Sequence, residues 1–117
     1  MTKSIEGIYA GYMTGSEGSG FSMFVFLDGV VTGIDPLGVK FDGSYCTNGG
    51  TFEIDIKVTV PSGGTVIQGA SAGSSGIVHN VKTSIDLNAA ENGFVRIDTP
   101  IGPVNLRLQK LRDIERS

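Results

Sequence analysis

The sequence predicts an all-β protein, a single small antiparallel barrel of about eight strands with few or no helices. Short runs in which apolar and polar residues alternate fill much of the 117 residues, which is typical of strands with one buried face. Glycine occurs 18 times without a three-residue period, as expected for tight turns and bulges between strands. Hydrophobic residues make up 39% of the chain and charged residues 18%. We therefore expect one domain with a real core over residues 1–117.

The strongest local signal is a hairpin over residues 18–34, which we expect at the centre of the sheet. Asp28 and Gly29 supply the positive φ angles of a tight turn, and a β-branched run begins at Val30. The strand before the turn is apolar on both faces, with Phe21, Met23, Val25 and Leu27 on one and Ser22, Phe24 and Phe26 on the other. The first face is predicted to point into the barrel, which leaves Phe24 and Phe26 outside.

The remaining strands follow in chain order. A first strand is predicted over residues 5–13, and a fourth over 39–45 after a Pro-Leu-Gly turn. Residues 52–60 give the clearest amphipathic strand, because every second residue is a large apolar one. Three further strands are predicted over residues 77–87 and 94–98 and from residue 104 onwards. Residues 108–114 fit either a continued strand or a short helix.

Residues 62–76 form the one low-complexity stretch, rich in Gly, Ser and Ala. Small side chains offer little surface to bury, so we predict a long flexible loop. The apolar run at residues 65–68 would allow a short edge strand within it. The glycines do not form a phosphate-binding loop, because no Lys-Ser or Lys-Thr closes the run and no helix pattern follows.

Composition argues against several classes of function. The formal net charge is −3 with no basic face along the chain, so we expect no direct binding of nucleic acid. Cys46 is the only cysteine and His79 the only histidine, and neither has the neighbours of a metal site or a catalytic pair. We therefore predict no enzyme, no catalytic residues, no metal and no cofactor. The first residues lack a signal-peptide core and no run is long enough to span a membrane, which predicts a cytoplasmic protein.

The inward strand faces suggest a ligand-binding lumen as one interpretation. An eight-stranded barrel is about wide enough to hold one small apolar ligand. The predicted lining residues are Tyr9, Met23, Phe41, Tyr45, Phe52 and His79. Within this set, His79 would either bond a ligand or be a core histidine satisfied by Tyr9, Tyr45 or a backbone carbonyl.

The outward phenylalanines suggest a protein contact. A barrel wall has one interior, so Phe24 and Phe26 on the outer face would need another cover. A second, two-fold related copy is the commonest cover of this kind. We therefore predict a homodimer with Phe24 and Phe26 in the dimer or partner surface.

Several motifs in the first half of the chain resemble one family. They are Gly7-Ile8-Tyr9, Glu17-Gly-Ser-Gly, Asp28-Gly29, Gly33-Ile-Asp35 and Phe41-Asp-Gly43-Ser-Tyr45. Together they resemble the GrlR-like proteins, small negative regulators of bacterial type III secretion. The resemblance implies a dimeric, calycin-like eight-stranded barrel that sequesters a transcriptional regulator without catalysis. The acidic loop with which that family binds its activator has no counterpart here, so no partner-binding residues are carried over. Our leading hypothesis is a non-enzymatic regulatory binding protein, and the alternative is a small-ligand or lipid carrier.

Overall fold

A computed structural model describes residues 5–63 and 73–114. Eight strands form one antiparallel sheet that is nearly closed into a barrel, with one short helix, so the predicted fold class is confirmed. The elements are β1 (Gly7–Gly15), β2 (Gly18–Leu27), β3 (Val30–Ile34), β4 (Lys40–Asn48), β5 (Thr51–Val60), β6 (Ile77–Asp86), α1 (Leu87–Asn92), β7 (Val95–Ile97) and β8 (Val104–Arg112). Most of the predicted flexible loop at residues 62–76, and all of the edge strand predicted at 65–68, lie outside the described residues.

The β2–β3 hairpin lies at the centre of the sheet, as predicted. The strand order is β6-β5-β4-β3-β2-β1-β8-β7, which places β2 and β3 in the two middle positions. Asp28 (φ 52°) and Gly29 (φ 79°) form the turn with the expected positive φ angles. The edge strands β6 and β7 meet no further strand in the described part of the chain. The barrel is therefore open along one seam, between β6 and β7.

The inward face of β2 is opposite to the predicted one. Phe24 and Phe26 are buried, with 6% and 4% of their surface exposed, whereas Met23 lies on the outer face. The reason is a pair of glycines on the two neighbouring strands. Gly33 of β3 is paired with Phe24, and Gly11 of β1 also borders its ring: a Cβ on Gly11 or Gly33 would lie 2.5 or 2.6 Å from a ring carbon of Phe24. These two glycines make room for the Phe24 ring inside the barrel, so the prediction of Phe24 and Phe26 as an outer surface is wrong.

Aromatic rings close the barrel at the end where β1 begins. Phe26 meets Tyr9, Tyr45 and Phe52 edge-on, at centroid distances of 5.2, 5.3 and 5.7 Å. We call these four residues the closed-end cluster. The Tyr9 hydroxyl donates a hydrogen bond of 2.6 Å to the carbonyl oxygen of Ile5, which satisfies its polar atom within the core. Edge-to-face packing and burial together fix this end of the barrel.

Helix α1 covers the same end of the barrel. The Asp86 side chain accepts a hydrogen bond from the backbone N–H of Ala89 at 3.2 Å, which caps the helix start. Leu87 and Ala90 face inward and are buried. The predicted strand over residues 77–87 therefore ends one residue early, at Asp86, and a helix follows it. The last strand, in contrast, continues to Arg112 with an irregularity where Leu111 bulges outward, so the strand alternative holds for the described part of the C-terminal stretch.

Stability should fall at alkaline pH because of Tyr9. Burial, with smaller contributions from the charges of Glu91 and Asp113, raises the pKa of the Tyr9 phenol. Folding therefore favours the neutral phenol. Its stabilisation is complete below the pKa of about 10 of an exposed tyrosine and is lost as the pH rises above that value.

We expect Tyr9→Phe to cost about 1 kcal/mol of unfolding free energy at neutral pH, because the hydrogen bond to Ile5 is lost. Above pH ~10 the difference from the wild type should shrink. Urea unfolding across this pH range measures both effects, with the exposed Tyr12→Phe as control. A Tyr9→Phe difference that stays constant with pH would contradict the assignment.

Candidate functional site

The barrel encloses an apolar cavity of about 310 Å³. Every strand except β3 contributes to its wall, because strands with strict alternation present one aliphatic face to the interior. The wall side chains from the strands include Ile54, Ile56 and Val58 of β5, Val81 and Ile85 of β6, Ile97 of β7, and Val104, Leu106 and Leu108 of β8. Phe24, Phe26 and Phe41 complete the wall on the hairpin side. The cavity is therefore a hydrophobic compartment above the closed-end cluster.

The cavity opens at the end of the barrel where β2, β4, β6 and β8 begin. Four residues there line the cavity and are also exposed: Ser19, Phe21, Pro36 and Leu37. We call these four residues the mouth. Leu37 is 74% exposed although it borders the cavity, so an apolar side chain stands at the opening and is free to contact an entering ligand.

The turn that carries Leu37 is held by one carboxylate. Asp35 Oδ1 accepts hydrogen bonds from the backbone N–H groups of Leu37 at 2.8 Å and Val39 at 2.9 Å. Gly38, with φ 92°, allows the tight return of the chain. The Asp35 backbone N–H also donates to the Val39 carbonyl oxygen at 3.0 Å. These hydrogen bonds hold one side of the mouth in a fixed conformation. The Asp-Pro-Leu-Gly motif predicted a turn here, but the sequence did not indicate that the turn would border a cavity.

His79 brings an imidazole into the apolar wall. It is the third residue of β6, is paired with Val58 of β5, and lines the cavity near the mouth end. Its Nδ1 atom is buried and has no hydrogen-bond partner among the described residues. Burial lowers the pKa of the imidazole, so the ring is neutral at neutral pH. The sequence suggested Tyr9, Tyr45 or a backbone carbonyl as a partner that would satisfy a core histidine. Within the described residues none of them bonds His79 Nδ1, and the Tyr9 hydroxyl donates to Ile5 instead.

The other predicted lumen residues lie in three different places. Phe41 lines the cavity together with His79. Tyr9, Tyr45 and Phe52 belong to the closed-end cluster beneath it. Met23 lies on the outer face, so its assignment to the lumen is wrong, for the same reason that Phe24 and Phe26 point inward.

Metal-ligating side chains do not cluster in the described part of the chain. Residues 5–63 and 73–114 contain no group of three or more His, Cys, Asp or Glu side chains that could hold a metal ion. Cys46 is exposed on the outer face of β4, where its Sγ lies 3.8 Å from Glu53 Oε2. Within the same ranges no helix is long and apolar enough to cross a membrane. The candidate site is defined by the shape of the cavity and by its apolar wall.

Comparisons with protein-family models, with curated proteins and with solved structures find no match. The class of the protein is therefore defined by its own fold and cavity. It is an eight-stranded antiparallel barrel with one open seam, one aromatic end and an apolar cavity that reaches the opposite end.

Stability should also fall as the pH drops below about 6.5, the pKa of an exposed histidine, because of His79. The pKa of its imidazole is lowered by burial, so the unfolded chain binds the proton more readily than the folded one. The stabilisation is present above the pKa of about 6.5 of an exposed histidine and is lost as the pH falls through the lower folded value.

Because His79 is the only histidine in the chain, the variant His79→Leu should remove this slope. Urea unfolding of both proteins between pH 5 and 7.5 checks the prediction, as does the imidazole titration followed by NMR. A slope that survives in His79→Leu would assign the effect to other groups.

Proposed function

We propose that the protein binds a small, mainly apolar molecule in the barrel lumen and acts as a carrier or ligand sensor without catalysis. The observation that supports this best is the apolar cavity of about 310 Å³ that reaches the mouth. An engineered cavity of about 150 Å³ with apolar walls binds benzene. A cavity of twice that volume suits a ligand of about a dozen non-hydrogen atoms.

The apolar wall of the open cavity also supports a binding role. The cavity is lined almost entirely by apolar side chains and reaches solvent at the mouth. Apolar surface that stays in contact with water forgoes about 25 cal/mol per Å² of burial. A molecule that occupies the cavity would bury this surface, so the cavity favours an apolar ligand.

The polar groups of the wall support binding over catalysis. The Asp35 carboxylate is engaged by two backbone N–H groups of its own turn, and the Thr99 hydroxyl donates to the carbonyl oxygen of Gly102 at 2.5 Å. Neither group is bonded to the His79 imidazole, whose Nδ1 has no partner in the described chain. A general base in a catalytic pair is normally oriented by such a bond.

Titration with naphthalene tests the proposal, because its ten carbons match the cavity. We expect the methyl NMR signals of Val58 and Val81 to shift on titration and the thermal midpoint to rise with ligand concentration. The outer-face methyl of Met23 serves as the internal control. Unchanged Val58 and Val81 signals up to the solubility limit, or shifts confined to the outer face, would contradict lumen binding.

Regulation by protein contact is the second candidate function, as the resemblance to the GrlR-like family implies. The observation that favours it is the outer face of the central strands, which is apolar although it faces away from the core. Tyr12 is exposed on this face, and its ring centroid lies 5.7 Å from that of Phe21, an exposed residue of the mouth. Ile34 is exposed beside Met23. We propose that a second copy of the chain covers this face, and that the homodimer binds a transcriptional regulator protein.

Sedimentation at tens of micromolar, a range typical of ordinary dimer affinities, tests this arrangement. Ile34→Lys, which places a charge on the apolar outer face beside Met23, should weaken the dimer, whereas Val78→Lys on the exposed face of the edge strand β6 should not. A wild-type monomer at these concentrations, or an Ile34→Lys variant that dimerises like the wild type, would contradict the arrangement.

A further inference from the structure

We infer that the lumen selects an uncharged ligand with one hydroxyl or carbonyl group over a fatty-acid-like carboxylate, and that His79 recognises this group. The inference rests on the proposed lumen binding and adds the chemical class of the ligand. Three observations carry it: the unused polar groups of the wall, the position of His79 along the barrel, and the charges that face the cavity.

Among the side chains that line the cavity, His79 is the one with a buried polar atom, Nδ1, that has no hydrogen-bond partner in the described residues; Ser22 Oγ is also buried without a partner, but Ser22 does not line the cavity. The wall contains four polar side chains: Ser19, Asp35, His79 and Thr99. Ser19 is exposed at the mouth. Asp35 Oδ1 is taken by two backbone N–H groups, while the Thr99 hydroxyl bonds Gly102 and accepts from the backbone N–H of Ile101 at 3.3 Å. A ligand that enters beyond the mouth therefore meets the imidazole as its polar partner.

The neutral imidazole suits a hydroxyl or a carbonyl. It has one N–H donor and one acceptor nitrogen, and its Nδ1 is buried without a partner. A hydroxyl can both donate and accept, so it can bond whichever ring nitrogen faces it, and a carbonyl can accept from the N–H. Pairing this group removes the cost of leaving it unsatisfied in an apolar wall. A ligand with such a group should therefore bind more tightly than the bare hydrocarbon.

The position of His79 orients the ligand. As the third residue of β6, it lies in the half of the barrel nearest the mouth, in one row with Phe41 and Val58. Below this row the wall consists of apolar side chains down to Phe26 of the closed-end cluster. The polar group of the ligand would thus lie toward the mouth and its apolar body toward the closed end.

The charges around the cavity disfavour an anion. No Lys or Arg lines the cavity in the described residues, and its one carboxylate, Asp35, lies at the mouth end. A carboxylate that entered would lose its hydration without gaining a cation, and it would meet a like charge on the way in. An uncharged hydroxyl or carbonyl has no charge to desolvate and is not repelled by Asp35.

Three ligands with the same ring system separate these effects: naphthalene, 2-naphthol and 2-naphthoate, titrated at pH 7.5 by calorimetry. We expect 2-naphthol to bind about tenfold more tightly than naphthalene, as one added hydrogen bond to a buried group provides. We expect 2-naphthoate to bind at least tenfold more weakly than 2-naphthol. If 2-naphthoate binds as tightly as 2-naphthol, the inference is overturned while lumen binding stands. If none of the three binds, lumen binding itself fails.

Two variants assign the preference to His79. His79→Leu should lose the preference for 2-naphthol: the ratio of its 2-naphthol affinity to its naphthalene affinity should fall about tenfold, to near one, whatever its naphthalene affinity becomes. His79→Gln, which keeps a donor and an acceptor, should restore part of the preference. A 2-naphthol preference that survives in His79→Leu would overturn the role of the imidazole. Loss of naphthalene binding in both variants would give His79 a structural role instead.

Discussion

Alanine at Gly11 should destabilise the barrel by about 1–3 kcal/mol, the usual cost of overpacking a core, and shortening Phe24 should remove most of that cost. A Cβ on Gly11 would lie 2.5 Å from Cε2 and 3.0 Å from Cδ2 of Phe24. The ring cannot move aside, because Gly33 and Phe41 confine it on its other sides, with the Phe41 centroid 5.1 Å away. The clash is therefore with one side chain, and Phe24→Leu should relieve it.

Gly33→Ala provides a sharp comparison. A Cβ there would lie 2.6 Å from Phe24 Cδ1 but also 2.5 Å from the backbone carbonyl oxygen of Met23. Shortening Phe24 leaves the backbone contact in place, so Gly33→Ala should remain costly in the Phe24→Leu background. Gly50→Ala, where a Cβ meets nothing within 4 Å, is the neutral control.

Urea unfolding of the single and double variants gives the coupling energies by double-mutant cycle. We expect a coupling of about 1–3 kcal/mol between positions 11 and 24 and a much smaller one between 33 and 24. Additive effects at positions 11 and 24 would show that Gly11 does not accommodate the Phe24 ring.

The same pair of glycines explains what the sequence could and could not predict. Alternation alone identifies β5, because its polar and apolar faces differ, and it places His79 and Phe41 inward on β6 and β4. In β2 both faces are apolar, so alternation cannot tell inside from outside. The inward face of β2 is determined by the glycines on the two adjacent strands, and which β2 residue lies beside a glycine depends on the register of the β1–β2 and β2–β3 hairpins.

The cavity could be predicted only in outline. The width of an eight-stranded barrel suggested a lumen, but its free volume depends on how all the inward side chains pack together. The mouth depends on the turn at residues 35–39, whose contact with the cavity follows from the closure of the sheet. Helix α1 had a readable signal, since Asp86 is a good N-cap ahead of Ala89-Ala90-Glu91. The alternating pattern of residues 77–86 favoured a strand that continues to residue 87, and the helix signal was therefore not recognised.

Filling the lumen should abolish ligand binding and stabilise the empty protein. Val58 and Val81 both line the cavity from neighbouring strands, so the double variant Val58→Phe, Val81→Phe places two phenyl rings in it. Each exchange adds four carbon atoms to the wall; since the six carbons of benzene occupy a cavity of about 150 Å³, the eight added carbons take up about 200 Å³ of the roughly 310 Å³ present. We expect naphthalene binding to fall at least tenfold, and the unfolding free energy to rise by about 0.5–2 kcal/mol, as in other cavity-filling variants.

The matched control adds the same two rings to the outer face. Thr59 and Val78 are a directly paired couple on the same two strands, and Val78 is 65% exposed. Thr59→Phe, Val78→Phe should leave naphthalene binding unchanged, because neither residue faces the cavity. Calorimetry measures the naphthalene affinity of both double variants, and urea unfolding measures their stability. If the inner variant binds naphthalene like the wild type, the ligand lies elsewhere. If it is destabilised by 1–3 kcal/mol, as overpacked cores are, the space between Val58 and Val81 is already filled, and the lumen that carries the proposed function does not exist in solution.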